Sequence, residues 1–314
     1  MALIELHDIR KTYSSSSGDV HALDGLDLTV EEGTVRGLLG PNGAGKTTTV
    51  KVLTTLTRPT SGTATVAGRD VMKDAAAVRR IIGASGQYAT IDEELSAREN
   101  LLLIGRLFHL GDRKARHRGD ELLELFDLTA AADRPVKGFS GGMRRRADLA
   151  ASLVSDPKIL FLDEPTTGLD PVARMNLWEV IRARVAAGTT LLLTTQYLEE
   201  ADQLADEISV IDRGTVIAEG TADELKARVG GQSIRVTLQD PADVADMASF
   251  LARLSDQPVD VEGRTASITV ADGVLALERT AAEIRGRDIA IHDIGVARPT
   301  LDDVFLTLTG EGNR

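Results

Sequence analysis

The sequence predicts an α/β domain built on a mostly parallel sheet, followed by a small α+β domain. Three observations carry this. Apolar strand-like runs alternate with helical patterns from Thr34 to Ala205, which implies a parallel sheet covered on both faces. A glycine-rich turn, GPNGAGKT at Gly40–Thr47, joins one such strand to a helix. The composition then changes near Val229-Gly230-Gly231. No lysine follows Lys226, and residues 229 to 314 carry 14 acidic and 8 basic side chains. The expected domains are residues 1–228 and 229–314.

Taken in order, IELHDIRKTY alternates as a strand, SSSSGD is a polar turn and HALDGLDLTV is a second strand, so the chain opens with an antiparallel β subdomain. TVRGLLG is a short apolar strand, and GAGKTTTVKVLTTL after it is helical in pattern. TATVAGRDV resumes as β beyond the breaker RPTSG. From Ser96 to Ala132 the apolar spacing is helical, which predicts a helical subdomain. KILFLDEP is a buried strand, ARMNLWEVIRARVAAG a helix ended by Gly188, and TTLLLTTQ a strand. YLEEADQLA is a helix, and EISVIDRGTVIAEG a final hairpin. Beyond residue 229 the segments read βαββαβ and then a helix, the order of a ferredoxin-like domain.

The net charge is −12, which disfavours broad binding to nucleic acid or to anionic lipid. There is no cysteine, so neither a disulfide framework nor a thiolate metal site is possible. The first residues lack the apolar core of a signal peptide. No apolar run approaches 18 residues, so a membrane role would require a partner.

GPNGAGKT fits the phosphate-loop spacing G-x-x-x-x-G-K-[ST] at each fixed position. Its glycines let several backbone N–H groups converge on one anion, and the following helix adds its positive end. Asn42, Gly43, Gly45, Lys46, Thr47 and Thr48 are the candidate phosphate contacts, with Lys46 the cation and Thr47 a hydroxyl suited to Mg²⁺. In ILFLDE, Asp163 ends an apolar strand, where open α/β sheets bind ligands. It is the candidate Mg²⁺ carboxylate, through water. Glu164 follows it as the candidate general base for an attacking water. Ser140-Gly141-Gly142 is a small-residue turn opening a helix, a second place where free N–H groups suit an anion.

With these motifs the chain resembles the nucleotide-binding subunit of ATP-binding cassette (ABC) transporters, a branch of the P-loop NTPases, over residues 2 to about 225. FSGGM (Phe139–Met143) resembles the family signature, with phenylalanine and methionine where leucine and glutamine are common. TTGLD ending at Asp170 resembles the D-loop, Gln87 in SGQ the Q-loop, and Tyr13 in KTY the aromatic that stacks on adenine. The resemblance implies ATP and Mg²⁺ as ligands, with Gln87 at the metal. It also implies a head-to-tail dimer in which the phosphate loop of one copy and the signature of the other enclose each ATP. Gln196 stands where the family usually has a histidine that contacts the γ-phosphate. An amide keeps two N–H donors and an acceptor but cannot carry charge or relay a proton.

The ending ARPTLDDVFLTLTG resembles the tail of ATPases of the daunorubicin/doxorubicin-resistance type. Thr300 is placed to cap this helix, and Leu301, Val304, Phe305 and Leu308 form its apolar stripe. The implied function is the motor of a drug or hydrophobic-metabolite exporter. It would sit peripherally on the cytoplasmic face of the membrane beside a separate permease, seated near Gln87–Leu110. A lipid exporter ATPase, or a soluble cassette ATPase with a non-transport target, is the alternative.

Overall fold

The computed structural model describes residues 1–15, 18–86, 91–229, 231–287, 289–297 and 299–309. The chain divides into two compact units, Met1–Ala222 and Asp223–Arg314.

The first unit opens with β1 (Ala2–Ser15) and β2 (Gly18–Glu31), a long antiparallel hairpin. β3 (Val35–Leu39) leaves it, while β4 (Ser61–Val66) and β5 (Arg69–Asp70) extend it in the order β2-β1-β4-β5. A second sheet takes β3 together with β6 (Ile82–Ser85), β7 (Ile159–Asp163), β8 (Thr190–Thr195), β9 (Glu207–Asp212) and β10 (Thr215–Gly220). Its order is β10-β9-β3-β8-β7-β6, parallel except for β10. The helices are α1 (Lys46–Leu53), α2 (Ala75–Val78), α3 (Ala97–Leu107), α4 (Asp112–Leu125), α5 (Gly141–Ser152), α6 (Pro171–Ala186) and α7 (Leu198–Leu204). The edge strand β6 and the single turn α2 were not anticipated, because each is too short to show a period.

Every residue of β3, β7 and β8 is buried. Alternate side chains serve opposite faces. Ile159, Phe161 and Leu192 join the core shared with α1 and the antiparallel sheet. Leu160, Leu162, Leu191 and Leu193 join the core shared with α3 to α6. The continuous apolar runs in the sequence are the signature of this two-sided burial.

The helical stretch expected from Ser96 to Ala132 is interrupted. Ser96 starts α3 with a capping box, its Oγ accepting from the Glu99 N–H (3.2 Å) while Glu99 Oε2 accepts from the Ser96 N–H (2.8 Å). The break comes where His109 (φ 58°) and Gly111 (φ 74°) turn left-handed, a conformation a helix cannot continue through. α4 then starts the second arm.

The second unit carries α8 (Ala222–Val229) at its start, then β11 (Gln232–Leu238), α9 (Val244–Leu251), β12 (Asp260–Glu262), β13 (Thr265–Val270), α10 (Gly273–Arg287), β14 (Ile291–Ala297) and α11 (Leu301–Thr309). The sheet is antiparallel in the order β12-β13-β11-β14, which is the ferredoxin-like arrangement. Thr300 caps α11, with its Oγ1 accepting from the Asp303 N–H (3.3 Å). Leu301 and Val304 of its stripe are buried.

Phe161 is fully buried at the centre of β7. Phe161→Ala is expected to destabilise the first unit by about 3–5 kcal/mol, read as a drop in its denaturant midpoint.

Candidate active site

The phosphate loop sits between β3 and α1. Gly45 is the residue before α1, with φ 111°, and a Cβ there would lie 2.6 Å from the Ala22 carbonyl oxygen. No side chain caps α1, so its first N–H groups remain available to an anion. The loop is braced from behind by the β9–β10 turn. The Gly214 N–H donates to the Ala44 carbonyl (2.9 Å), and the Gly214 carbonyl accepts from the Asp24 N–H (3.0 Å).

Lys46 is 4% exposed, and its Nζ donates to the carbonyls of Gly40 (2.6 Å) and Pro41 (3.0 Å). It lies 3.7 Å from Glu164 Oε1. Burial lowers the pKa of its ammonium, against the pull of the Glu164 and Asp163 carboxylates. Asp163 accepts a hydrogen bond from the Thr194 hydroxyl on the adjacent strand. The Glu164 N–H donates to the Thr194 carbonyl (3.0 Å). Glu164 itself has φ 50°, a left-handed conformation costing about 1–3 kcal/mol outside glycine. Thr47 and Asp163 line one cleft, which brings a hydroxyl and a carboxylate together. Oxygen-only ligands of this kind fit a hard divalent cation.

The other expected residues stand as follows. Tyr13 is 39% exposed on β1, with Lys11 Nζ 4.8 Å from its ring centroid. Asn42 and Gly43 are exposed in the loop, and Thr48 is half-buried in α1. Ser140 caps α5, accepting from the Met143 N–H (3.2 Å). Ser140 and Gly141 face solvent, and Gly142 is half-buried. Phe139 and Met143 turn into the helical-arm core, so apolar side chains suit both positions. Asp170 caps α6, accepting from the Ala173 N–H (2.9 Å). Gln196 is half-buried in the bend between β8 and α7 and makes no hydrogen bond among the described residues. The residue before α7 is Tyr197, so Gln196 does not cap that helix. Gln87 lies outside the described residues.

Three residues were missed. Thr194 ties β8 to the Asp163 carboxylate and to the Glu164 backbone N–H, and the two threonines ending LLLTT were the available signal. Arg145 reaches the ends of both β6 and β7, and its place inside an RRR triplet concealed it. Glu200 is fully buried in α7. Burial raises its pKa. Thr195, Thr166, Trp178 and Arg145 pull the other way, but neither carboxylate oxygen of Glu200 has a hydrogen-bond partner among the described residues, so burial prevails.

Comparison with known proteins follows the same division. Residues 23–167 match the ABC transporter family, and residues 220–309 match the C-terminal domain of DrrA1-3-like ATP-binding proteins. The chain is 56% identical over 297 residues to daunorubicin resistance ATP-binding protein DrrA3 of Streptomyces coeruleorubidus, covering 95% of this chain and 94% of that protein. It belongs to the ABC transporter ATP-binding family. Daunorubicin/doxorubicin resistance ATP-binding protein DrrA of Streptomyces peucetius is 47% identical over 98% of this chain and 92% of that protein. Nod factor export ATP-binding protein I of Rhizobium sp. (strain N33) is 40% identical over 98% of this chain and 97% of its own. Among solved structures, a dimeric bacterial ABC transporter cassette superposes with TM-score 0.66 at 26% identity, covering 69% of this chain and 98% of that one. The cassette is therefore an ATPase of the ABC type, in which ATP hydrolysis is coupled to transport.

Two outcomes test this geometry. Gly45→Ala should weaken ATP binding at least about tenfold, since the new methyl forces the loop off the Ala22 carbonyl and misaligns its N–H groups; a fluorescent-nucleotide titration reads this. A raised folded-state pKa at Glu200 means that its contribution to stability is fully present below the ordinary glutamate pKa and is lost as pH rises through the folded value. Glu200→Gln should therefore melt above the wild type at alkaline pH, with the gap closing as pH falls toward the ordinary glutamate range.

Proposed function

We propose that this cassette is the motor subunit of an exporter, working as a head-to-tail dimer around two ATP molecules and driving a separate membrane permease. The observation that carries the dimer is the solvent-facing α5 N-terminus at Ser140-Gly141. It is a second anion-seeking surface, distinct from the phosphate loop, and a second copy's nucleotide would satisfy it. The apolar side chains of Val172 and Met175 are exposed beside the Asp170 turn, which favours contact with another protein there. Residues 229–314 are proposed as an assembly or regulatory domain.

Within each site, the N–H groups of the Asn42–Thr48 loop cradle the phosphates and Lys46 neutralises the β- and γ-oxygens. Tyr13 offers a ring face to adenine. Asp163 and Thr47, with Gln87, would hold Mg²⁺, which would supply neutralisation of phosphate charge. Glu164 takes a proton from the attacking water. Ser140, Gly141 and Gly142 donate to the γ-phosphate held by the partner copy, with Asp170 alongside. Gln196 offers its amide N–H groups to the same phosphate.

No helix among the described residues is long and apolar enough to cross a membrane. The cleft that Thr47 and Asp163 line, about 510 Å³, continues to an apolar stretch at Leu56, Ile104, Leu107 and Phe108. Leu56 and Leu107 are 75% and 69% exposed, whereas Leu101 is in the core. This supports a seat for the permease on the Leu103–Phe108 side of α3, at the cytoplasmic face of the membrane. Relatives named for daunorubicin and doxorubicin resistance support a hydrophobic drug or secondary metabolite as cargo.

The decisive experiment is co-purification with an integral membrane protein that stimulates ATP turnover; turnover indifferent to any membrane partner would end the exporter reading. Glu164→Gln with MgATP should run as a dimer by light scattering, while adding Ser140→Arg should return it to monomer. Gln196→His should raise turnover roughly fivefold, the gain of a charge-assisted over a neutral phosphate contact. A collapse would mean that the amide is required by its surroundings.

A further inference from the structure

Arg145 donates to backbone carbonyls on both sides of Glu164 and at the end of β6. It lies on α5, five residues after Ser140, with its side chain 14% exposed. Its Nε donates to the Pro165 carbonyl (2.9 Å), and its Nη2 donates to the carbonyls of Asp163 and Glu164 (2.9 Å each). Its Nη1 donates to the Gly86 carbonyl (2.6 Å), immediately before Gln87. Asp148, one turn along the same helix, lies 3.6 Å from Nη1 and accepts from the Ser85 hydroxyl (2.6 Å). One guanidinium thus grips the backbone on both sides of the left-handed Glu164 and the end of β6.

We infer that Arg145 is a positioning residue for hydrolysis, holding the Asp163–Pro165 backbone and the Gly86 carbonyl in register with the signature helix. The planar fork is what the site requires. Its N–H groups diverge at fixed angles and reach carbonyls on two strands at once. A lysine ammonium preserves the charge and the Asp148 partner, but it is a single point and cannot span Gly86 and Pro165 together. Glu164 would then be free to relax from its left-handed conformation, moving its carboxylate away from the attacking water. Arg145 bonds no phosphate-loop backbone; the loop meets this contact set only through the Lys46–Glu164 pair (3.7 Å), and the cradle's own N–H groups stay in place, so nucleotide affinity should change little. Since Ser140 caps α5, the same link ties the surface offered to the partner's nucleotide to the chain's own catalytic carboxylates. This inference rests on the proposed roles of Glu164 and Ser140.

The test compares wild type, Arg145→Lys, Asp148→Asn and the double variant as full-length proteins. Steady-state MgATP hydrolysis is measured beside equilibrium titration with a fluorescent ATP analogue, and Trp178 emission and melting report the fold. The expected result is a fall in kcat of about a hundredfold for Arg145→Lys, the scale of a misplaced catalytic group. Nucleotide affinity should stay within about threefold, so the loss falls on kcat alone. Asp148→Asn should lose less, and the double variant should be no worse than Arg145→Lys, because both act through one contact set. Wild-type turnover retained by Arg145→Lys would overturn the inference. So would losses in kcat, affinity and melting temperature that run in step, since that pattern marks a merely structural residue. A wild-type protein that binds ATP without hydrolysing it would instead bring down the proposed function, and this inference with it.

Discussion

Burial of one cation and two carboxylates at the end of a single sheet is the constraint from which the rest of this cassette follows. Lys46, Asp163 and Glu164 are each at most 7% exposed. Charges so far from water are tolerable only when each has partners. Lys46 leans on two loop carbonyls and Glu164, and Asp163 on the Thr194 hydroxyl. The parallel arrangement of β3, β7 and β8 is what places a loop, a carboxylate pair and a threonine on one rim. Removing any strand from this sequence of neighbours would leave a charge without its counterpart.

The same constraint explains the two-sided core. Strands that deliver charged groups at one end need rigid walls along their length. Alternate apolar side chains feed one core beneath the antiparallel sheet and another beneath the helical arm. The arm is not passive support. α5 brings the Arg145 guanidinium to the backbone of the carboxylate pair while its capping residue, Ser140, faces outward. A helix that touches β7 at one point and solvent at another is suited to passing position from one nucleotide site to the second site of the proposed dimer.

Much of the site was legible because it is local. The phosphate loop is eight consecutive residues, and the chemistry of an anion cradle dictates its glycines, lysine and threonine directly. Asp163 and Glu164 follow an apolar run whose end must lie at a sheet edge. The ferredoxin-like order of the second unit was legible for a similar reason, since its strands and helices each carry their own period. The break at His109–Gly111 was not, because a left-handed turn leaves little trace in hydrophobic spacing. Neither was the burial of Glu200, an acidic residue in an acidic helix start whose surroundings come from Thr166 and Trp178, remote in the chain.

The sequence by itself determined the nucleotide loop, the acidic pair, the alternation of strands and helices and the family to which they belong. These are written in neighbouring residues or in a fixed period. Only the tertiary structure decided that Thr194 steadies Asp163, that Glu164 is held left-handed, and that the middle arginine of RRR spans Gly86 and Pro165. Those contacts join residues 20 to 59 positions apart. No local pattern encodes which of three adjacent arginines points inward, because the turn of α5 and its packing on the sheet set that direction.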